Sequence, residues 1–165
     1  MSEDIPLVKK FHMLSQIQRK SHFEWLEAAM AFAKEGTTEL ELVRKFWEIV
    51  GRDTAPGYLK HIDPDKPLPR QIAECFVFSS RSMGEDAVLV EGEGENESFA
   101  RHNGCPWYEW HKRLGKMEQD LPGCDAWLES FMADINEKFG TNVKWKTLKS
   151  LPAGDEVCLR RFWVE

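Results

Sequence analysis

Ala87-Val-Leu-Val-Glu91, then Gly92-Glu-Gly-Glu-Asn96, then Glu97-Ser-Phe-Ala-Arg-His102 is the stretch at which the hydrophobic period of this chain changes. The outer runs read as strands and the glycine-rich link between them as a turn, so the segment predicts a β-hairpin. Upstream, the apolar residues recur every three or four positions. Phe23, Leu26, Met30 and Ala33 place an amphipathic helix over Ser21–Lys34. Thr38 and Glu41 form a capping box for a second helix, with Val43, Phe46, Trp47 and Val50 on one face and Gly51 as its left-handed stop. A shorter helix over Thr54–Ile62 ends at Asp63-Pro64, and the prolines of Asp63–Pro69 make a stiff connector. Pro69–Met83 reads as a further helix, with Ile72, Phe76 and Ser79 facing inward.

Downstream of the hairpin, a short helix starts at Pro106. A longer one, opened at Cys124 and closed by Gly140, carries Leu128, Phe131, Met132, Ile135 and Phe139. Asn142–Leu148 and Val157–Val164 are two more strands, joined by a turn at Pro152-Ala-Gly-Asp155. Helices first and a mostly antiparallel sheet of about four strands afterwards describe an α+β fold. At 165 residues the chain suits one domain, a helical part over 1–68 and an α+β part with the cysteines over 69–165.

Composition narrows the functional classes. The 42% apolar content and the seven tryptophans exclude a disordered chain, and no apolar run is long enough for a membrane span. The net charge is −6, and six acids with no Lys or Arg among them lie between Glu85 and Glu97. That balance argues against a nucleic-acid partner. The acidic start Met-Ser-Glu-Asp-Ile-Pro lacks the plan of an export signal, so the expected location is cytoplasmic and the four cysteines are expected as thiols.

Cys105 precedes Pro106 and so reads as the cap of the short helix; Cys124 follows Pro122-Gly123 and reads as the start of the long one. Free amides and the helix dipole at such positions favour a thiolate. Burial as a small apolar side chain is the plainer role for both, and more so for Cys158 in the last strand. His102 and Cys105 have a spacing that can hold a metal, and with Cys124 and Cys158 they could complete a tetrahedral zinc site, the one cofactor the residues suggest. Trp107 and Tyr108 can wall a ligand pocket, with His111 one helical turn after Trp107. Lys146 and Arg160 can hold an anionic group. Core packing and a solvated outer face are the plainer roles of those residues.

Cys105-Pro-Trp-Tyr108 together with Lys146-Thr-Leu-Lys-Ser-Leu-Pro-Ala-Gly-Asp-Glu-Val-Cys158 resembles the L-2-amino-thiazoline-4-carboxylate hydrolase family, whose chains end in a strand pair carrying a Thr followed by Gly-Asp-x-x-Cys. Thr147, Gly154, Asp155 and Cys158 match that ending. The Gly-Asp-x-x-Cys motif is also similar to the 4-vinyl reductase type of small-molecule-binding domain, which is related to the trafficking-complex fold. Both resemblances imply a ligand cavity between helices and sheet. The first implies cysteine-assisted opening of a small cyclic amidine, with Cys105, Cys124, Asp155 and Cys158 as catalytic residues and His102, Trp107, Tyr108, His111, Lys146 and Arg160 around an anionic small molecule. The second implies a non-catalytic small-molecule- or zinc-binding module, or a small subunit of a larger enzyme. A structural partner protein with a tryptophan-rich interface, as a homo-oligomer or a subunit of an enzyme complex, is the third reading.

Overall fold

The computed structural model describes residues 5–165; Met1–Asp4, part of the stretch read for an export signal, lie outside the described residues. Five α-helices and a four-stranded sheet are present among the described residues. The fold is therefore α+β.

Helix α1 runs over Leu7–Phe32, fourteen residues ahead of the expected start at Ser21. Helix α2 spans Glu39–Leu59. Its capping box is in place: Thr38 Oγ1 accepts the Glu41 amide at 3.2 Å, and Glu41 Oε2 accepts the Thr38 amide at 2.8 Å. Gly51 does not stop this helix, and the two helices read over Thr38–Ile62 are one. The reason lies in packing. A β-carbon at Gly51 would collide with the Trp127 carbonyl of helix α5, Met117–Phe139.

The same close approach explains a second correction. Cys124 does not open α5; the helix begins at Met117, and Pro122, Gly123 and Cys124 lie inside it. A β-carbon at Gly123 would come within 2.7 Å of the Trp47 ring on α2. Both glycines read as breakers are points where α2 and α5 touch, and these two form the most extensive contact between elements. No other residue type lets two helix backbones come so near.

Helix α3 covers Leu68–Ser82, and strands β1 (Asp86–Glu91) and β2 (Glu97–Gly104) form the expected hairpin. Helix α4 is Pro106–Leu114. Strands β3 (Lys144–Lys149) and β4 (Cys158–Trp163) complete an antiparallel sheet of order β1-β2-β4-β3. Helix α3 packs on β1, β2 and β4. Ile72, Leu128, Phe131, Ile135 and Phe162 are fully buried between helices and sheet. Each such side chain stabilises the fold by about 1.5–3 kcal/mol relative to exposure.

Candidate functional site

Strand alternation sends Cys158, Arg160 and Phe162 to the inner face of β4, where all three are buried. Across the ladder Cys158 pairs with His102 and Arg160 with Ala100, so His102 lies one diagonal step from Arg160 on the same face. Phe76 of α3 covers both: its ring centroid is 5.2 Å from the His102 ring and 5.7 Å from the Arg160 guanidinium carbon. Trp127 of α5 stacks on Phe76 at 5.5 Å.

Arg160 is 3% exposed, and its guanidinium makes no hydrogen bond or ion pair among the described residues. A guanidinium stays charged at any physiological pH. An isolated buried cation costs several kcal/mol unless something anionic meets it. Burial opposes its charge, the nearby Asp125 carboxylate favours it, and its pKa stays above the ordinary value. The Asp125 carboxylate is engaged elsewhere, accepting the Thr147 hydroxyl at 3.0 Å.

Cys105 caps α4, with Pro106 at the first helical position. The expected thiolate is not favoured there. Burial raises the Cys105 pKa well beyond its ordinary value, Glu85 adds to the rise, and the amides of Tyr108 and Trp107 do not offset it. Cys124, inside α5 instead of at its start, is likewise held as a thiol by burial, although Arg160 pulls the other way. Cys158 Sγ accepts the Leu151 amide at 3.3 Å, which ties strand β4 to the turn before it.

The zinc quartet His102, Cys105, Cys124 and Cys158 is not assembled. Among the described residues no three His, Cys, Asp or Glu side chains come together in a metal-ligand arrangement. His102 Nε2 is engaged by Ser80 Oγ at 2.8 Å and Glu85 Oε2 at 3.3 Å.

The remaining residues singled out from sequence lie apart from Arg160. Asp155 is exposed, and its carboxylate accepts the Ser150 amide at 2.8 Å, closing the β3–β4 turn. Lys146 pairs with Arg161 on the outer face of the sheet. Tyr108 is half-buried under Lys112. Trp107 and His111 face α1 and α2 instead of β4: Trp107 meets His22 and Trp47 edge-on, and the His111 ring lies 5.0 Å from that of Phe23.

Beneath α1 lies a polar layer that sequence reading missed. Arg19 bonds the Met83 carbonyl and lies over Trp107. His22 is enclosed by Phe23, Phe46, Trp47 and Trp107. His111 Nδ1 lies 2.8 Å from Asp120 Oδ2 while bonding the Trp107 carbonyl at 3.0 Å. The available signal was Arg19 and His22 in phase with Phe23 and Leu26, legible only once the helix is extended back to Leu7. A cleft of about 390 Å³ opens beside this layer, lined by Gln16, Gly104, Cys105, Trp110 and neighbours.

No family model matches the chain, and no curated protein does. Among solved structures it is similar to a trafficking protein particle complex subunit 3 from Naegleria fowleri, determined with palmitic acid covalently bound. The identity is 10%, the TM-score 0.58, and the match covers 93% of this chain and 96% of that one. The likeness is one of fold. It overturns the thiazoline-hydrolase resemblance, for which neither a family model nor a curated relative is found, and with it the cysteine-assisted ring opening assigned to Cys105, Cys124, Asp155 and Cys158. Among the described residues no helix is long and apolar enough to cross a membrane.

Proposed function

We propose that this chain is a non-catalytic, single-domain binding module that holds a small carboxylate or similar anion at Arg160 and serves as a subunit of a larger cytoplasmic assembly. The observation that carries the reading is the buried guanidinium that no carboxylate among the described residues bonds or ion-pairs, Asp125 acting on it only from a distance. Phe76 lies over the guanidinium and also against His102, and Cys158 shares the inner face of β4 with Arg160. A carboxylate reaching Arg160 gains two parallel charge-assisted bonds in a medium where they are strong. The assembly part of the reading is supported by the shared fold with a complex subunit.

Thermal denaturation in acetate, decanoate or inorganic phosphate, each against its neutral amide or an inert salt of equal ionic strength, tests the anion site. At least one of these anions should raise Tm of the wild type in proportion to the logarithm of its concentration and leave Arg160→Met unmoved. Equal shifts for the two proteins, or none in the wild type, remove Arg160 from any site.

A further inference from the structure

Helix α1 uses only part of its circumference for the core. Its buried side chains are Arg19, His22, Phe23 and Leu26. On an adjacent face, steps of four and three residues lead from Leu7 through Phe11, Leu14, Gln18, Ser21, Trp25 and Ala28 to Phe32. A repeat of 3.5 residues kept over the whole helix is the pattern of a seam that packs against another helix. Its apolar members face outward: Leu7 is 82% exposed, Leu14 65%, Trp25 75% and Phe32 92%. Phe46 of α2 lies against His22 and is itself partly exposed, widening the patch.

Two features of the seam identify the occupant. The pattern reads the same from both ends. In an antiparallel pair of α1 helices related by a two-fold axis near residues 19 and 20, Leu7 meets Phe32, Phe11 meets Ala28 and Leu14 meets Trp25. The polar pair Gln18 and Ser21 meets itself, the Gln18 amide facing the Ser21 hydroxyl of the other copy. Bulky side chains thus face smaller ones, and polar faces polar. The second feature is charge. Leaving aside the buried Arg19, Leu7–Lys20 holds Lys9, Lys10 and Lys20 with no acid, and Ser21–Phe32 holds Glu24 and Glu27 with no Lys or Arg, Lys20 and Glu24 pairing within the helix at 3.2 Å. Antiparallel packing lays the basic half of one helix along the acidic half of the other, whereas parallel packing sets like beside like.

We infer that α1 is a self-association surface, and that its occupant is α1 of a second copy of this chain in an antiparallel, two-fold arrangement. The contact extends over about 39 Å of helix. It goes beyond the Arg160 reading and does not depend on it.

Sedimentation velocity over a concentration series checks the inference with the full chain. The wild type should form a dimer, and Trp25→Glu should raise the dimer Kd at least about thirty-fold with an unchanged circular dichroism spectrum. Under mild oxidation, with the wild type as control for its four native thiols, Leu14→Cys/Trp25→Cys should give a disulfide-linked dimer and Leu14→Cys alone should not. A wild type that stays monomeric throughout, or a Trp25→Glu protein as dimeric as the wild type, overturns the proposal. Cross-linking by Leu14→Cys alone overturns the antiparallel arrangement. A monomer that co-sediments with phosphatidylserine vesicles assigns the seam to lipid instead, and equally ends the proposal. Arg160→Met should dimerise as the wild type does, so failure at one site is distinguishable from failure at the other.

Discussion

The α2–α5 interface and the interior behind β4 and α1 are both buried, yet they are built on opposite principles. Between α2 and α5 the backbones approach until only glycine fits, at Gly51 against Trp127 and at Gly123 against Trp47. Most of the buried polar atoms without a hydrogen-bond partner among the described residues lie on α1, α4 and β4, namely Arg19 Nε, His22 Nε2, His111 Nε2 and Arg160 Nε, with Gln119 Oε1 and Asp120 Oδ2 in the first turn of α5. Close packing leaves no freedom for a ligand, whereas a polar interior with unmet bonding capacity is one that a bound group can complete.

The contrast breaks most visibly at Gly51. On intrinsic helix propensity, Gly51→Ala should stabilise α2 by about 1 kcal/mol. The collision with the Trp127 carbonyl reverses the sign, and a loss of about 3 kcal/mol or more is expected in urea denaturation, since backbone on both sides must move. A stabilised Gly51→Ala protein means the helices stand further apart than described.

In the polar half the expectation runs the other way. Arg160→Met, without added anion, should leave stability unchanged or raise it by about 1–3 kcal/mol, because it removes a buried charge that no bonded partner satisfies and keeps the volume. A loss beyond about 1 kcal/mol in the same assay identifies Arg160 as a structural cation and weakens the anion site.

His22 sharpens the comparison through pH. Burial, and then the neighbouring His111, lowers its pKa to about 4. The unfolded chain takes up that proton near pH 6.5. Stability is therefore complete above about pH 6.5, falls as the pH drops from 6.5 towards 4, and loses nothing further from this group below 4. A loss of about 2 kcal/mol over that window is expected, discounted for incomplete burial. His22→Phe should flatten that part of the pH profile of the urea midpoint; an unchanged profile shows that His22 is not the group responsible.

The smallest effect belongs to the helix start that the two halves share. Thr38→Ala removes the hydroxyl that accepts the Glu41 amide and should cost about 1 kcal/mol at any pH, with no effect on anion binding. A pH-dependent loss would show that Glu41 contributes through its charge more than through the cap.

Much of the fold was legible because its signals are local. The period change at Ala87, the Thr38–Glu41 box, Pro106 after Cys105 and the alternation of Cys158, Arg160 and Phe162 depend on neighbours within a turn or a pleat. The errors have one physical source. Gly51 and Pro122-Gly123 carry the local signature of helix ends, but in this fold they answer to a second helix remote in sequence. Correcting Gly123 also moved Cys124 off a helix start, which removed the argument for its thiolate.

The candidate site divides along the same line. From sequence alone came the α+β order of elements, the presence of a cation and a cysteine on one face of the last strand, and the aromatic character of α4. Those follow from periodicity and residue type. Tertiary structure alone decided that no carboxylate among the described residues bonds Arg160, that the cysteines do not assemble into a metal-ligand set, and that Asp155 and Lys146 lie elsewhere. A pKa, a ligand set and a missing ion pair depend on what lies within a few ångströms in space, and in this protein those neighbours come from α3, α5, β2 and β4, which no local pattern brings together.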